Sequence, residues 1–214
     1  MTFSTGPACS GVVVGWSHPS KRVRPKVFSI IPEGAAYREF VLLKDGRGVL
    51  LRIAFAEDID RVEAFIRGLS RESLAMRFMG GVASVSRKFV EELCTPNLRL
   101  QACLLAVEGE GEDEQVLGLG NYIGGGGPVA EVAFMIGDAH QGRGIGTLIL
   151  ERLAGLAAGV GYLGFEAEHL TGNKKMGNVF MDTGFETRRA MEDGVIHVQF
   201  PLSAPEALRE RTDP

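Results

Sequence analysis

The sequence predicts one α/β domain built on a mixed, mostly antiparallel sheet flanked by helices. Asp-Gly turns at 45–46 and 193–194 stand between apolar runs, the pattern of a hairpin whose turn needs a residue tolerant of positive φ. Apolar residues at helical spacing alternate with the strand-like runs. A strand, a glycine-bearing loop and a helix follow one another between residues 129 and 159, and this unit is what makes the sheet mixed. At 214 residues, 45% hydrophobic and 23% charged, the chain can bury a continuous core but is short for two full domains.

Residues 1–38 are read as an arm: they mix Gly, Pro and Ser and carry Lys21, Arg22, Arg24 and Lys26, with little to bury. The folded domain is expected over 39–202, with a tail over 203–214. EFVLL and VLLRIAF flank Asp45-Gly46 as the first hairpin. Ile59, Val62, Phe65 and Ile66 mark a helix, and Ser70 and Ser86 stand where N-caps of two further short helices belong. LQACLLAV, QVLGLGNYI and VAEVAFMI are strands, separated by the acidic spacer Glu108–Glu114, read as a solvated hairpin loop, and by the glycine run before Pro128. Ile149, Leu153, Leu156 and Ala157 share one face of the next helix. GYLGFEAE is a strand, Met176, Val179 and Phe180 mark a helix stopped by Gly184, and the hairpin at Asp193-Gly194 closes the domain.

A net charge of −4 offers no broad cationic face for nucleic acid. Three cysteines, Cys9, Cys94 and Cys103, form no CxxC pair and always leave one thiol over, which suits a reducing compartment and excludes a disulfide framework. The N-terminus has no basic leader, and the uncharged stretch Leu153–Phe165 is too short and too glycine-broken to cross a bilayer. The expectation is a soluble, cytoplasmic protein with no membrane partner. His18, His140, His169 and His197 show no ligand spacing, so no metal site is expected.

Gln141-Gly142-Arg143-Gly144-Ile145-Gly146-Thr147 lies between an apolar strand and a helix. Glycines there let backbone amides converge at a helix N-terminus, where aligned N–H groups and the helix dipole favour a phosphate or pyrophosphate. A dinucleotide fingerprint does not fit, although Glu166 lies at a suitable distance for a ribose: Thr147 takes the place of the third glycine, and Gly137 to Gln141 separate the strand end from the first one. No Gly-Lys-Ser/Thr follows, so a triphosphate loop does not fit either.

The Q/R-x-x-G-x-G/A pattern at Gln141–Gly146, with Asn173, Met176, Gly184 and Phe185 further on, resembles the GCN5-related N-acetyltransferase (GNAT) family. The resemblance spans about residues 39–202 and includes the order of elements. It implies a GNAT-like fold, acetyl-CoA as cosubstrate and no metal. The amides of Gln141, Gly142, Arg143, Gly144, Ile145, Gly146 and Thr147 would hold the pyrophosphate. Phe134, Met135 and Ile136 would pair their backbone with the pantetheine arm, and Asn173, Met176 and Phe180 would line the cofactor. Asn173 can also cap the helix it precedes. Many family members carry a tyrosine where Phe180 stands, as acid for the departing thiolate. Either another donor such as Tyr122 serves or none is needed, since a thiol of pKa roughly 8.5 is a tolerable leaving group.

Glu131 interrupts the apolar strand VAEVAFMI, and a carboxylate is costly to bury without a task or a partner. It is the expected general base for an amine that arrives as an ammonium; bacterial protein lysine acetyltransferases, which this chain resembles, carry a glutamate on this strand. The alternative is a solvated Glu131 close to Pro128. Leu69-Ser70-Arg71-Glu72-Ser73 with Arg77-Phe78 also resembles a stretch that flanks the acceptor groove in those enzymes; capping by Ser70 and a core Phe78 explain it equally. Cys103, in an apolar strand, is read as inert core and Lys174 and Lys175 as either phosphate ligands or solvated charges. The expected reaction is acetylation of a protein lysine, an acyl-CoA synthetase being the first partner to try. A small amine such as a polyamine, amino acid or antibiotic, or a non-catalytic acyl-CoA sensor, are the alternatives.

Overall fold

Gly46 takes φ +81 in the first turn, which a side chain would oppose, and β1 (Arg38–Leu42) folds back antiparallel on β2 (Gly48–Ile53). The computed structural model describes residues 37–81 and 85–202. The arm, apart from Tyr37 and Arg38, and the tail lie outside the described residues. Three short helices follow: α1 (Ile59–Arg67), α2 (Arg71–Arg77) and α3 (Arg87–Leu93). Ser70 and Ser86 accept from the Ser73 and Phe89 amides at 3.2 Å, so both caps form as the residue types require.

β3 (Gln101–Glu108), β4 (Gln115–Gly124) and β5 (Val129–Ile136) make an antiparallel meander, α4 (Ile145–Gly159) crosses over, and β6 (Gly164–Leu170) returns parallel to β5. α5 (Lys174–Asp182) then precedes the hairpin of β7 (Arg188–Glu192) and β8 (Val195–Pro201). The single sheet runs β1-β2-β3-β4-β5-β6-β8-β7, antiparallel except for β5 and β6.

β3 shows why both faces are covered. Leu104 and Ala106 belong to the core under α4, while Cys103, Leu105 and Val107 belong to the one under α1 and α3. A period of two divides one apolar run between two cores. The edge strand β7 buries nothing.

Glu114 departs from the expected solvated loop. Its carboxylate pairs with Arg52, which also meets the fully buried Asp58 through two hydrogen bonds of 2.6 and 2.7 Å, and Arg61 reaches Asp58 at 3.0 Å. Burial pushes the Asp58 carboxyl upward, but the Arg52 hydrogen bonds, the Phe55 amide and Arg61 outweigh it and hold the group below its ordinary value. A depressed folded-state pKa means that this contribution to stability is complete above the unfolded value of about 3.9 and fades as pH falls through the folded one. Urea midpoints of the parent should therefore drop more steeply below about pH 4 than those of Asp58→Asn, whose side chain does not titrate in that range.

Candidate active site

β5 and β6 pair only at Val129, Ala130 and Glu131 against Gly164, Phe165 and Glu166. Beyond Glu131 the two strands go on, to Ile136 and Leu170, without pairing each other. β4 covers the other edge of β5 and β8 the other edge of β6, so two open strand edges face a wedge. Backbone N–H and C=O groups on such edges need partners, and an extended amide-bearing ligand can supply them.

The wedge opens into a cleft of about 230 Å³. Val132 and Ala133 of β5, Ala167 and Glu168 of β6, and Met176 and Phe180 of α5 line it, with Arg77 and Glu131 at the side of α2. Phe180 is 1% exposed and packs on Phe134, centroids 6.3 Å apart. Phe134 and Met135 are buried in opposite cores and Ile136 is half-buried. Their side chains are therefore engaged, and what they can offer the wedge is backbone.

Where β5 ends, the motif loop begins. Gly142 and Gly144 hold φ +76 and +86, and a Cβ at either would point into open space. These left-handed residues turn the chain into α4, whose first intrahelical bond is Leu148 N–H to the Gly144 carbonyl at 3.0 Å. The amides of Ile145, Gly146 and Thr147 are left without intrahelical acceptors, and no side chain among the described residues caps them. Ile145 is buried and anchors the first turn. Gly146 lies against α5, where a Cβ would come within 3.2 Å of Val179.

Neighbouring elements hold this loop in place. Gln141 donates to Ser73 Oγ and to the Ile136 carbonyl, each at 3.2 Å, and accepts from Lys175 Nζ at 2.7 Å. Arg143 donates to Asp45 at 2.9 Å and stands 3.0 Å from His140 Nδ1, while its Nη2 is buried without a partner among the described residues. Asp138 accepts from Ser70 N, Ser70 Oγ and Ser73 Oγ. The Ser73 and Ser70 bonds hold the Asp138 carboxyl below its ordinary range.

Several expected placements change. Glu131 is exposed at the cleft, so the burial cost that singled it out is not paid. A second carboxylate joins it: Glu168 lines the same cleft, its carboxylate 3.0 Å from His197. Strand alternation alone could have put Glu166 and Glu168 on one face, but not opposite Glu131. His140 is half-buried against Arg143, and Lys175 is held by Gln141 rather than solvated alone. Tyr122 is fully buried, donates to the Leu98 carbonyl, and burial drives its hydroxyl well above the ordinary range. Burial likewise raises the Cys103 thiol, and that of Cys94 to about 12.

Asn173 accepts from the Met176 amide at 3.1 Å, capping α5. Asn173→Ala should lower stability by about 1 kcal/mol, measured as a shift of the urea midpoint at constant slope.

A family model described as the acetyltransferase (GNAT) domain matches residues 49–186. A curated acetyltransferase of Pseudomonas aeruginosa is 27% identical over 161 residues, 72% of this chain and 85% of that protein. The crystal structure of the GNAT domain of S. lividans PAT superposes with a TM-score of 0.70 at 34% identity, covering 77% of this chain and 97% of that domain. A phosphinothricin acetyltransferase from Sinorhizobium meliloti, solved in complex with AcCoA, has the same fold at a TM-score of 0.55 and 20% identity, covering 78% of this chain and 92% of that one.

Proposed function

Because the chain belongs to the GNAT acetyltransferase family and is an acyltransferase that uses acetyl-CoA, we propose that it acetylates a lysine of a protein in a ternary complex, with Glu131 as general base. The observation that carries this reading is the wedge between β5 and β6, which opens beside the uncapped amides of α4 at one end and beside Glu131 at the other. In this reading the pyrophosphate of acetyl-CoA lies against the amides from Gln141 to Thr147, where the helix terminus favours negative charge. The pantetheine amides take up the open edge from Phe134 to Ile136, and Asn173, Met176 and Phe180 bound the chain on the side of α5.

Acetyl-CoA supplies a thioester, and the residues around it supply position and a proton path. A lysine ammonium of pKa about 10.4 must lose a proton before it can attack. Glu131, exposed at the cleft, takes that proton directly or through one water. The amine nitrogen then bonds to the thioester carbon, the C–S bond breaks and the nitrogen gives up its second proton to solvent, leaving the acetamide and the CoA thiolate. Phe180 carries no hydroxyl to protonate the thiolate, and the Tyr122 hydroxyl is committed to Leu98. The thiolate leaves unassisted and takes its proton from solvent.

The similarity to the GNAT domain of S. lividans PAT, a protein acetyltransferase, supports a protein acceptor. An acyl-CoA synthetase is the first acceptor to try. The test is incubation with labelled acetyl-CoA and either native lysate or a panel of amines. Label on one or a few lysines of folded proteins is the expected result. An efficient, saturable reaction with spermidine or an antibiotic, and none with lysate proteins, overturns the protein acceptor. Tight CoA binding without turnover on any amine leaves a sensor instead.

A further inference from the structure

We propose that Arg77 makes the acceptor site selective for an amine that carries a carboxylate close to the reacting nitrogen. The inference rests on amine acetylation at this cleft and concerns which amines it admits. Arg77 is the last residue of α2 and lines the cleft together with Glu131 and Glu168. It makes no hydrogen bond or ion pair among the described residues, and its Nε is buried without a partner. The other half-buried arginines, Arg52, Arg61, Arg143 and Arg152, each meet a carboxylate. Removing a guanidinium from water costs free energy unless an anion compensates. Burial lowers the Arg77 pKa, and the charge of Glu131 offsets this only in part.

The guanidinium is nevertheless held in one place. Its Cζ stands 5.1 Å from the centroid of the Phe78 ring, a cation–π contact that leaves the in-plane donors free. The cleft thus presents a carboxylate, Glu131, for the incoming ammonium and an unpaired fork of donors for an anion beside it. Planar guanidinium donors match a carboxylate in shape as well as in charge. A polyamine supplies no such anion. Two sources do: an acidic side chain next to the target lysine in a protein, or the α-carboxylate of a free amino acid.

The experiment compares matched acceptors with the full chain. One pair is a lysine peptide with Asp or Asn next to the lysine, and the other is free lysine against cadaverine, its decarboxylated counterpart. The parent should favour the carboxylate-bearing member of at least one pair by about tenfold or more in kcat/KM, the scale of one charge-assisted hydrogen bond. The pair that responds identifies the source. Arg77→Met should erase the preference by raising KM for that member alone, Arg77→Lys should restore part of it, and the KM for acetyl-CoA should stay unchanged in both. No preference in the parent, or an equal loss on all acceptors in kcat, overturns the proposal; the latter result would assign Arg77 to the reacting carbonyl. If no acceptor turns over, the acetyl-transfer reading fails by itself. Titration of the CoA complex with Nα-acetyllysine, whose carboxylate lies beside the acetylated nitrogen, against N-acetylcadaverine, followed by NMR, then reads the same preference as binding, and equal affinities overturn it. Thermal melts of both variants check that α2 remains folded.

Discussion

Glu131→Gln should reduce kcat by about 100-fold or more, in the range that a positioned general base contributes, with the affinity for acetyl-CoA nearly unchanged. The substitution keeps the size and the hydrogen-bonding capacity of the side chain but removes its ability to accept a proton. Because the Glu131 side chain is exposed and makes no hydrogen bond or ion pair among the described residues, the exchange breaks no internal bond and removes only its charge from the neighbourhood of Arg77, so the melting temperature should stay close to that of the parent. Loss of activity would then be chemical and not structural. Rescue by raising pH should be partial, since more of the acceptor amine is then already deprotonated. An unaltered kcat would remove Glu131 from the reaction and direct attention to Glu168 across the cleft.

Gly144→Leu should abolish the stabilisation that acetyl-CoA or CoA confers. At a ligand concentration of 100 Kd the parent gains about 2.7 kcal/mol, and NAD or ATP should give much less. At φ +86 a leucine is strained by roughly 1–2 kcal/mol, so the unliganded variant should melt lower. Its side chain would project into the open space in front of the α4 amides, where the pyrophosphate is proposed to lie. Gly161→Leu is the matching control: Gly161 has φ +102 and equally open surroundings, but stands after the far end of α4. It should lose similar stability and keep the full response to CoA. An undiminished response in Gly144→Leu, or equal stabilisation of the parent by NAD, would contradict the pyrophosphate assignment.

Much of the fold is legible in local chemistry. Ser70, Ser86 and Asn173 cap helices because an oxygen on a short side chain reaches an amide two or three residues on. The Asp-Gly turns work because glycine accepts positive φ, as at Gly46 and Gly194. The motif loop is legible for the same reason, since Gly142 and Gly144 both adopt that conformation. Glu131 drew notice through a cost of burial that it does not bear, because a charged residue in an apolar strand reads alike whether the sheet face it stands on is covered or opens to a cleft. Only the packing of α2 and α5 around that face decides which.

What the amino-acid sequence determined by itself was therefore the order and type of the elements, the glycine loop ahead of α4 and the family resemblance, which rest on short local patterns and their order along the chain. The tertiary structure decided which distant groups meet. Glu168 shares a cleft with Glu131, Asp45 holds Arg143 from the first hairpin, Glu114 joins Arg52 and Asp58 instead of facing water, and Arg77 forms no ion pair among the described residues beside the cleft. Charge pairing depends on distances of a few ångströms between segments far apart in sequence. Those distances are set by strand order, by register and by the point where β5 and β6 diverge, none of which a local pattern encodes.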